Sequence, residues 1–380
     1  MSRIRHALKL TVPMVAGAVI VAGCGGPATP ATNAGHDSKA VACTKAAESR
    51  LTDAAKPITM DAPSESLPTA SLAGKKVWFI AASMKFPLVV ELAKGFEDAA
   101  AAAGFKGTIF DGKANVAAYN EGVEQAVAHG ADAIILDGQN PDVMSSSLAK
   151  AAAANIPVVS FAAYETPSVK PPAAPIRVYA GLDLLTVGRT QGDLALAKSG
   201  CSGNVLILTS DISKTLQGMA KSAKATIMKE CPGCRVTLST INSQTVSVSA
   251  PQAVRVAVQK DPALKTIISP DIYLTAAVPA LRQLGAVASK LQVIGYQGDP
   301  PNLEFVRSGD VQDADVSYPP LDYVSWKLVD LVARELAAKG SPQPVLIPAQ
   351  LITKETFNQS ADPFAQFGDF KAAFRTRWGK

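Results

Sequence analysis

The chain has 380 residues, 48% of them hydrophobic and 18% charged, with a formal net charge of +5. That length exceeds what one hydrophobic core organises, so more than one lobe is expected. Part of the positive charge sits at the extreme N-terminus and no dense Lys/Arg run follows, so the sequence lacks the electrostatic footprint of a nucleic-acid binder.

The N-terminus reads as an export signal. Arg3, Arg5, His6 and Lys9 precede a mostly apolar run over 10–22. The run suits a signal peptide and falls short of the roughly 20 apolar residues that a membrane span needs. It ends in Val21-Ala22-Gly23-Cys24, which resembles a bacterial lipobox. Small residues there admit a peptidase to the backbone, and the cysteine thiol receives the lipid. The expectation is a signal peptide over 1–23 and a mature chain held to the cell membrane, outside the cytoplasm, by lipid on Cys24.

Residues 24–74 read as a flexible tether. Gly, Pro, Ala and Thr dominate to about residue 40 and bury too little apolar surface to offset ordering entropy. A short helix over 43–55 and a Pro/Ser-rich stretch over 57–73 complete this segment.

From Lys75 onward, short apolar runs alternate with helical patterns. Strands are expected over 77–81, 108–110, 133–136 and 157–161. The helix over 87–103 places Leu88, Leu92, Phe96, Ala99 and Ala103 on one face, with Gly104 as its stop. A second helix runs through Val123, Ala126 and Val127 to Gly130, and a third covers 143–154. The pattern then restarts, with strands over 204–208, 235–239, 266–269 and 292–295 and helices over 214–230, 252–260 and 274–284. The first two strands recur at one offset, from 77 to 204 and from 108 to 235, which independent errors would not produce. Apolar strands alternating with helices predict an α/β protein of two Rossmann-like lobes with parallel sheets.

Of five cysteines, Cys24 is set aside for lipid. Cys43, Cys201, Cys231 and Cys234 form an even set in an oxidising compartment and predict disulfides, with three pairings open. Cys231-Pro232-Gly233-Cys234 lies between a helix and a strand, not at the strand-to-helix turn of a redox motif. The three histidines, His6, His36 and His129, lie far from it in sequence, so neither a zinc site nor any other metal site is expected.

Open parallel sheets bind ligands beyond the carboxyl ends of their strands, where helix N-termini offer free N–H groups. In the first half those loops carry Ser83, Lys85 and Phe86, then Asp137, then Tyr164. In the second they carry Asp271, Tyr273, Tyr296 and Gln297. Rings supply stacking area and polar tips fix orientation. Asp and Asn before a helix also serve as caps. The recurrence of Phe86, Tyr164, Tyr273 and Tyr296 at one sheet edge has no such explanation.

The stretch 76–165, with Gly-Phe-Glu-Asp-Ala-Ala at 95–100 and Asn-Ile-Pro-Val-Val-Ser at 155–160, resembles the type 1 periplasmic binding proteins of the ribose-binding group. The resemblance continues through Gly295-Tyr296-Gln297-Gly298 to about Leu351. It implies two lobes joined by a three-crossover hinge, here near 180–184, 298–301 and 317–320. By that division the first lobe comprises 75–181 and 299–317, and the second 182–298 and 318–354. It also implies ligand contacts at Gln217 and Tyr318, no cofactor, and a membrane permease of an ABC importer as partner to a likewise monomeric carrier. One position departs: where sugar binders of this group commonly place an Asp-Arg pair, this chain has Ala162-Ala163, and Gln297 stands where a carboxylate is common. The pocket has fewer charges and more rings, which points from a free sugar toward an aromatic, nucleoside-like or other cyclic solute.

No Gly-x-Ser-x-Gly elbow, phosphate loop or poised histidine supports an enzyme. A receptor subunit presenting solute to a membrane sensor uses the same clamp and is the alternative to an importer. The tail over 355–380 carries Phe357, Phe364, Phe367, Phe370, Phe374 and Trp378. Its helical, amphipathic spacing predicts packing on the body, against the second lobe.

Overall fold

The computed structural model describes residues 34–59, 65–166, 175–338 and 344–380, so the expected signal segment 1–23 and the expected lipid site Cys24 lie outside the described residues. In chain order the elements are α1 (Ala34–Ala54), β1 (Lys76–Ala81), α2 (Pro87–Ala103), β2 (Lys106–Asp111), α3 (Val116–Ala128), β3 (Ala133–Asp137), α4 (Ser145–Ala153), β4 (Val158–Phe161) and β5 (Ile176–Gly181). There follow α5 (Leu184–Ser199), β6 (Asn204–Ser210), α6 (Lys214–Glu230), β7 (Val236–Ile241), α7 (Val246–Lys260), β8 (Leu264–Ile268), α8 (Asp271–Leu284), β9 (Gln292–Gln297) and α9 (Pro300–Ser308). Last come β10 (Ala314–Ser317), α10 (Leu321–Leu336), β11 (Val345–Leu346), β12 (Gln350–Thr353), α11 (Lys354–Gln359) and α12 (Phe370–Arg377).

Two six-stranded sheets result, ordered β11-β5-β4-β3-β1-β2 and β12-β10-β9-β8-β6-β7. All pairings are parallel except β10 with β12. The two orders match strand for strand, which is the duplication seen in the sequence spacing. Apolar strands buried on both faces make each sheet a core: Val77, Phe79, Ile80 and Ala81 of β1 are fully enclosed, as are Ile207 and Leu208 of β6. α2 shows how a local pattern docks. Pro87 occupies its first turn, Gly104 ends it with φ 87°, and Leu88, Leu92, Phe96, Ala99 and Ala103 are buried. Burial contributes about 1.5–3 kcal/mol for each large apolar side chain on that face.

Among the described residues the chain passes between sheets three times: after β5 at 182–183, after β10 at 318–320 and after β11 at 347–349. The expected crossing at 298–301 is absent, because Pro300 and Pro301 instead open α9, where a missing N–H costs nothing. The short β9-α9-β10 connection returns to the same sheet, pairing Ala314 with Ile294. Residues 299–317 therefore belong to the second lobe and not the first. Conversely α10 packs on α2 and on β3, β4 and β5, so it belongs to the first lobe together with β11.

Two further expectations change. The tether gives way to helix from residue 34, and α1 lies along α5. It is held there by the Cys43–Cys201 disulfide and by Arg50, which grips both oxygens of Asp193. Its alanine-rich sequence favours helix intrinsically, which a linker-like composition conceals. Cys231 pairs with Cys234, settling the open connectivity. The tail packs on the body, but mainly on the first lobe. Phe367, Phe370 and Phe374 surround Tyr323 of α10, and Trp378 stacks on Trp326 at 5.2 Å. The stretch preceding β1 closes over this end, with the Leu67 and Thr69 amides donating to the Arg377 and Trp378 carbonyls.

Candidate ligand-binding site

The carboxyl ends of both sheets face one cleft of about 110 Å³. From the first lobe come Phe86, which opens α2, Asp137 at the end of β3, and Phe161 at the end of β4. From the second come Tyr273 in α8 and Tyr296 and Gln297 at the end of β9, while Tyr318 arrives on the crossover. Phe161, Tyr318 and Tyr296 form a continuous aromatic wall across the hinge, with centroid separations of 5.5 and 5.8 Å. The Tyr296 hydroxyl donates to that of Tyr318 at 2.9 Å. Burial raises both phenols above their ordinary range, so they act as neutral hydroxyls.

Several of its polar groups are held by neighbours. The Asp137 carboxyl accepts the Ala82 amide at 3.1 Å and is otherwise desolvated, which pushes its pKa up to about 6. Ser243 links the Tyr273 hydroxyl at 3.2 Å to the Asp211 carboxylate at 2.6 Å. Gln139 donates to the Ile80 carbonyl at 3.0 Å, leaving its side-chain oxygen buried and unpaired. Among the described residues no Lys, Arg, His or Glu lines this cleft. Lys214 at the start of α6 meets Asp142 of the first lobe at 2.6 Å, which draws the lobes together. Both side chains are exposed, so the pair contributes little.

A larger groove of about 760 Å³ runs between α2, α9 and the tail. Its walls are helices and tail, and several of its charges are already paired, Arg307 with Glu304 and Lys371 with Asp98 and Asp322. The smaller cleft is the better candidate, because strand ends and helix starts converge there.

A family profile described as periplasmic binding protein domain matches residues 77–340. The chain belongs to this family. Structural neighbours agree on the fold. The 5-methylthioribose transporter solute binding protein of Thermotoga lettingae, solved with 5-methylthioribose, has a TM-score of 0.70 at 17% identity, covering 82% of this chain and 99% of that one. An ABC sugar transporter subunit from Rhodobacter sphaeroides has 0.64 at 22% identity over 75% and 99%. An ABC transporter solute binding protein from Mycobacterium smegmatis, solved with glycerol, has 0.65 at 19% identity over 76% and 96%. No curated protein matches the sequence. As a periplasmic binding protein the chain is a binder of a small solute and not an enzyme, placed outside the cytoplasm.

Of the residues singled out from sequence, the cleft gathers Phe86, Asp137, Tyr273, Tyr296, Gln297 and Tyr318. Five lie outside its lining. Ser83 is buried and its hydroxyl accepts the Lys85 amide, while Lys85 itself points to solvent. Tyr164 packs edge-on against Tyr179 at 4.7 Å. Gln217 donates to the Ser210 carbonyl at 2.9 Å, and Asp271 turns away beneath the floor. All but Lys85 are consumed by a local polar or ring contact, the competing role that loop residues commonly take. Tyr119 and Phe161 line the cleft without having been singled out. Tyr119 sits in a helix face that reads as core, and Phe161 ends an apolar strand, so neither carries a sequence signal of its own. Ala162 occupies the place of the sugar binders' Asp-Arg pair and lines the cleft with a bare methyl, its backbone at φ 51°.

Proposed function

We propose that this periplasmic binding protein is a monomeric lipoprotein, anchored through Cys24, that captures an uncharged cyclic solute in the 110 Å³ cleft and delivers it to its importer. The observation that carries this reading is the aromatic wall of Phe161, Tyr318 and Tyr296, which spans both lobes where no Lys or Arg lines the site. Rings of that kind stack on a ring face, and the fixed polar tips then orient its hydroxyl or amide groups. An anionic solute would lie in the cleft without a counter-ion, which is costly in a dry site. Ligand touching both lobes favours the closed form by its differential contacts.

A thermal-shift screen of the mature protein against nucleosides, methylthio-substituted pentoses, free monosaccharides and aromatic acids tests the cargo. Uncharged ring-bearing solutes should raise the midpoint; at a hundredfold excess over Kd the gain is about 2.7 kcal/mol. Tyr296→Ala should abolish the shift. Midpoints raised only by free monosaccharides would rule out the cyclic, less hydroxylated class. Metabolic labelling with a radioactive fatty acid tests the anchor: label should enter the wild type and be lost in Cys24→Ala.

A further inference from the structure

The second lobe encloses three carboxyl groups beneath the cleft. Asp271 opens α8, Asp299 follows β9 and Asp315 lies in β10, and each is fully buried. Burial and the nearby charges of Asp315 and Asp299 hold the Asp271 carboxyl well above the usual carboxylate range. Gly295 runs beside Asp271 and Asp315: a Cβ there would strike an oxygen of each, and the Gln312 amide as well. Their donors are already assigned. Asp271 Oδ2 accepts the Gly298 and Asp299 amides, both at 3.0 Å. Asp315 accepts Gln312 Nε2 at 2.9 Å and the Ser317 hydroxyl at 2.8 Å. Asp271 Oδ1 has no donor. Two ionised carboxylates against one backbone position repel in a dry interior, and a proton held between them removes that repulsion.

We propose that Asp271 and Asp315 share one proton at neutral pH, and that this proton fixes the turn 297–299 at the floor of the ligand cleft. Gln297 lines the cleft with φ 128°, a backbone region that side chains other than glycine rarely adopt. It stays there because Asp271 holds the next two amides and because the Ile272 amide donates to its side-chain oxygen at 3.3 Å. Loss of the proton sets two negative charges side by side in a dry interior. Repulsion then drives Asp271 off the turn, and Gln297 relaxes out of the site. Solute binding therefore weakens as pH rises. Asp271 and Asp315 are positioning residues, since neither lines the cleft.

The other groups facing the pair come from each neighbouring element. Asp299 and the buried Tyr296 phenol are titratable and add no positive charge; burial, with the Asp315 charge, pushes Asp299 up to about 8. Gln312, Ser317 and, from α5, Gln191 are neutral, the last donating to the Gly295 carbonyl at 3.1 Å.

The proposal rests on the cleft reading above only in making the turn a ligand contact, and its test uses no solute, so a failed screen and a failed titration are separate results. The backbone amide signals of positions 298 and 299 are followed by proton–nitrogen correlation spectra from about pH 6 to about pH 10, with Asp299→Asn added to every protein tested so that this neighbouring carboxyl does not titrate. Both should move together in one titration. Both should stay fixed in Asp315→Asn, whose side-chain amide donates to Asp271 at every pH. Amides that hold still in Asp299→Asn, or that titrate alike in the variant, overturn the proposal. Should the variant not fold, infrared difference spectra of Asp299→Asn decide: a protonated-carboxyl band at neutral pH that disappears in alkali is expected, and its absence refutes the shared proton. A thermal midpoint raised by calcium alone would place a cation between the carboxyls and overturn it equally.

Discussion

Asp137 ends β3 with a single amide donor on a carboxyl that is otherwise cut off from water. Desolvation opposes its ionised form and the Ala82 amide only partly offsets that, so its pKa rises to about 6. A raised folded-state value means that stability is greatest while the group is neutral. It declines as pH climbs from the unfolded value near 3.8 through about 6, then levels off. Asp137→Asn keeps the shape and an acceptor for Ala82 but cannot ionise. It should therefore remove that part of the decline and stabilise the apo protein at neutral pH by up to about 3 kcal/mol. Denaturant unfolding from acid to neutral pH reads the effect; an unaltered slope would assign the whole decline to the second-lobe carboxyls. The same substitution should weaken solute binding, because an anionic acceptor in the cleft becomes an amide. Residues of this kind were legible in sequence only as classes. Asp137 and Tyr296 showed themselves as polar or aromatic tips after strands, but so did Tyr164 and Gln217, which the fold spends on Tyr179 and on the Ser210 carbonyl. Only side-chain direction separates the two sets.

At the scale of single elements, α12 is the case where pattern and docking part company. Its ring spacing announced a buried face, and the face is buried: Phe374 and Trp378 are fully enclosed. Which lobe receives it depends on α10, and α10 crosses to the first sheet only because β10 ends in Tyr318-Pro319-Pro320. Periodicity reports a face; it carries no information on the partner. Trp378 also donates its indole N–H to Asp330 at 2.8 Å, and Arg334 accompanies that carboxylate at 2.7 Å. Trp378→Ala thus removes the ring stacked on Trp326 and leaves Asp330 one donor short. A loss of about 3–5 kcal/mol is expected from the cavity. Trp378→Phe retains most of the packing and loses the donor, so its cost should be nearer 1–2 kcal/mol, or about that of one charged hydrogen bond. Equal losses in the two variants, measured by urea unfolding, would show that the hydrogen bond dominates and packing does not.

For the molecule as a whole, the duplicated sheet order was legible from strand spacing, while the paths between sheets were not. Paired prolines at 300–301 and at 319–320 look alike in sequence, yet the first pair starts α9 and the second marks a crossing. The distinction lies in β10, a four-residue strand too short to stand out, which keeps the chain in the second sheet until residue 317. A comparable long-range tie, Cys43 to Cys201, fastens α1 to the second lobe across 158 positions. If α1 and the lobes unfolded as one unit, closing a loop of that length would be worth roughly 5 kcal/mol in chain entropy. The architecture argues for much less. α1 precedes β1, supplies no strand, and meets the body along one side of α5, where Arg50 still grips Asp193 and Ala47 is buried. Without the disulfide, α1 can undock while both sheets stay folded, so the bond stabilises the docking and not the core. Cys43→Ser with Cys201→Ser should therefore shift the calorimetric midpoint by only a few degrees. Limited proteolysis should by contrast become rapid within α1 and leave a resistant body beginning near β1. A midpoint drop matching roughly 5 kcal/mol, with no new cleavage in α1, would instead show that helix and lobes unfold as one unit.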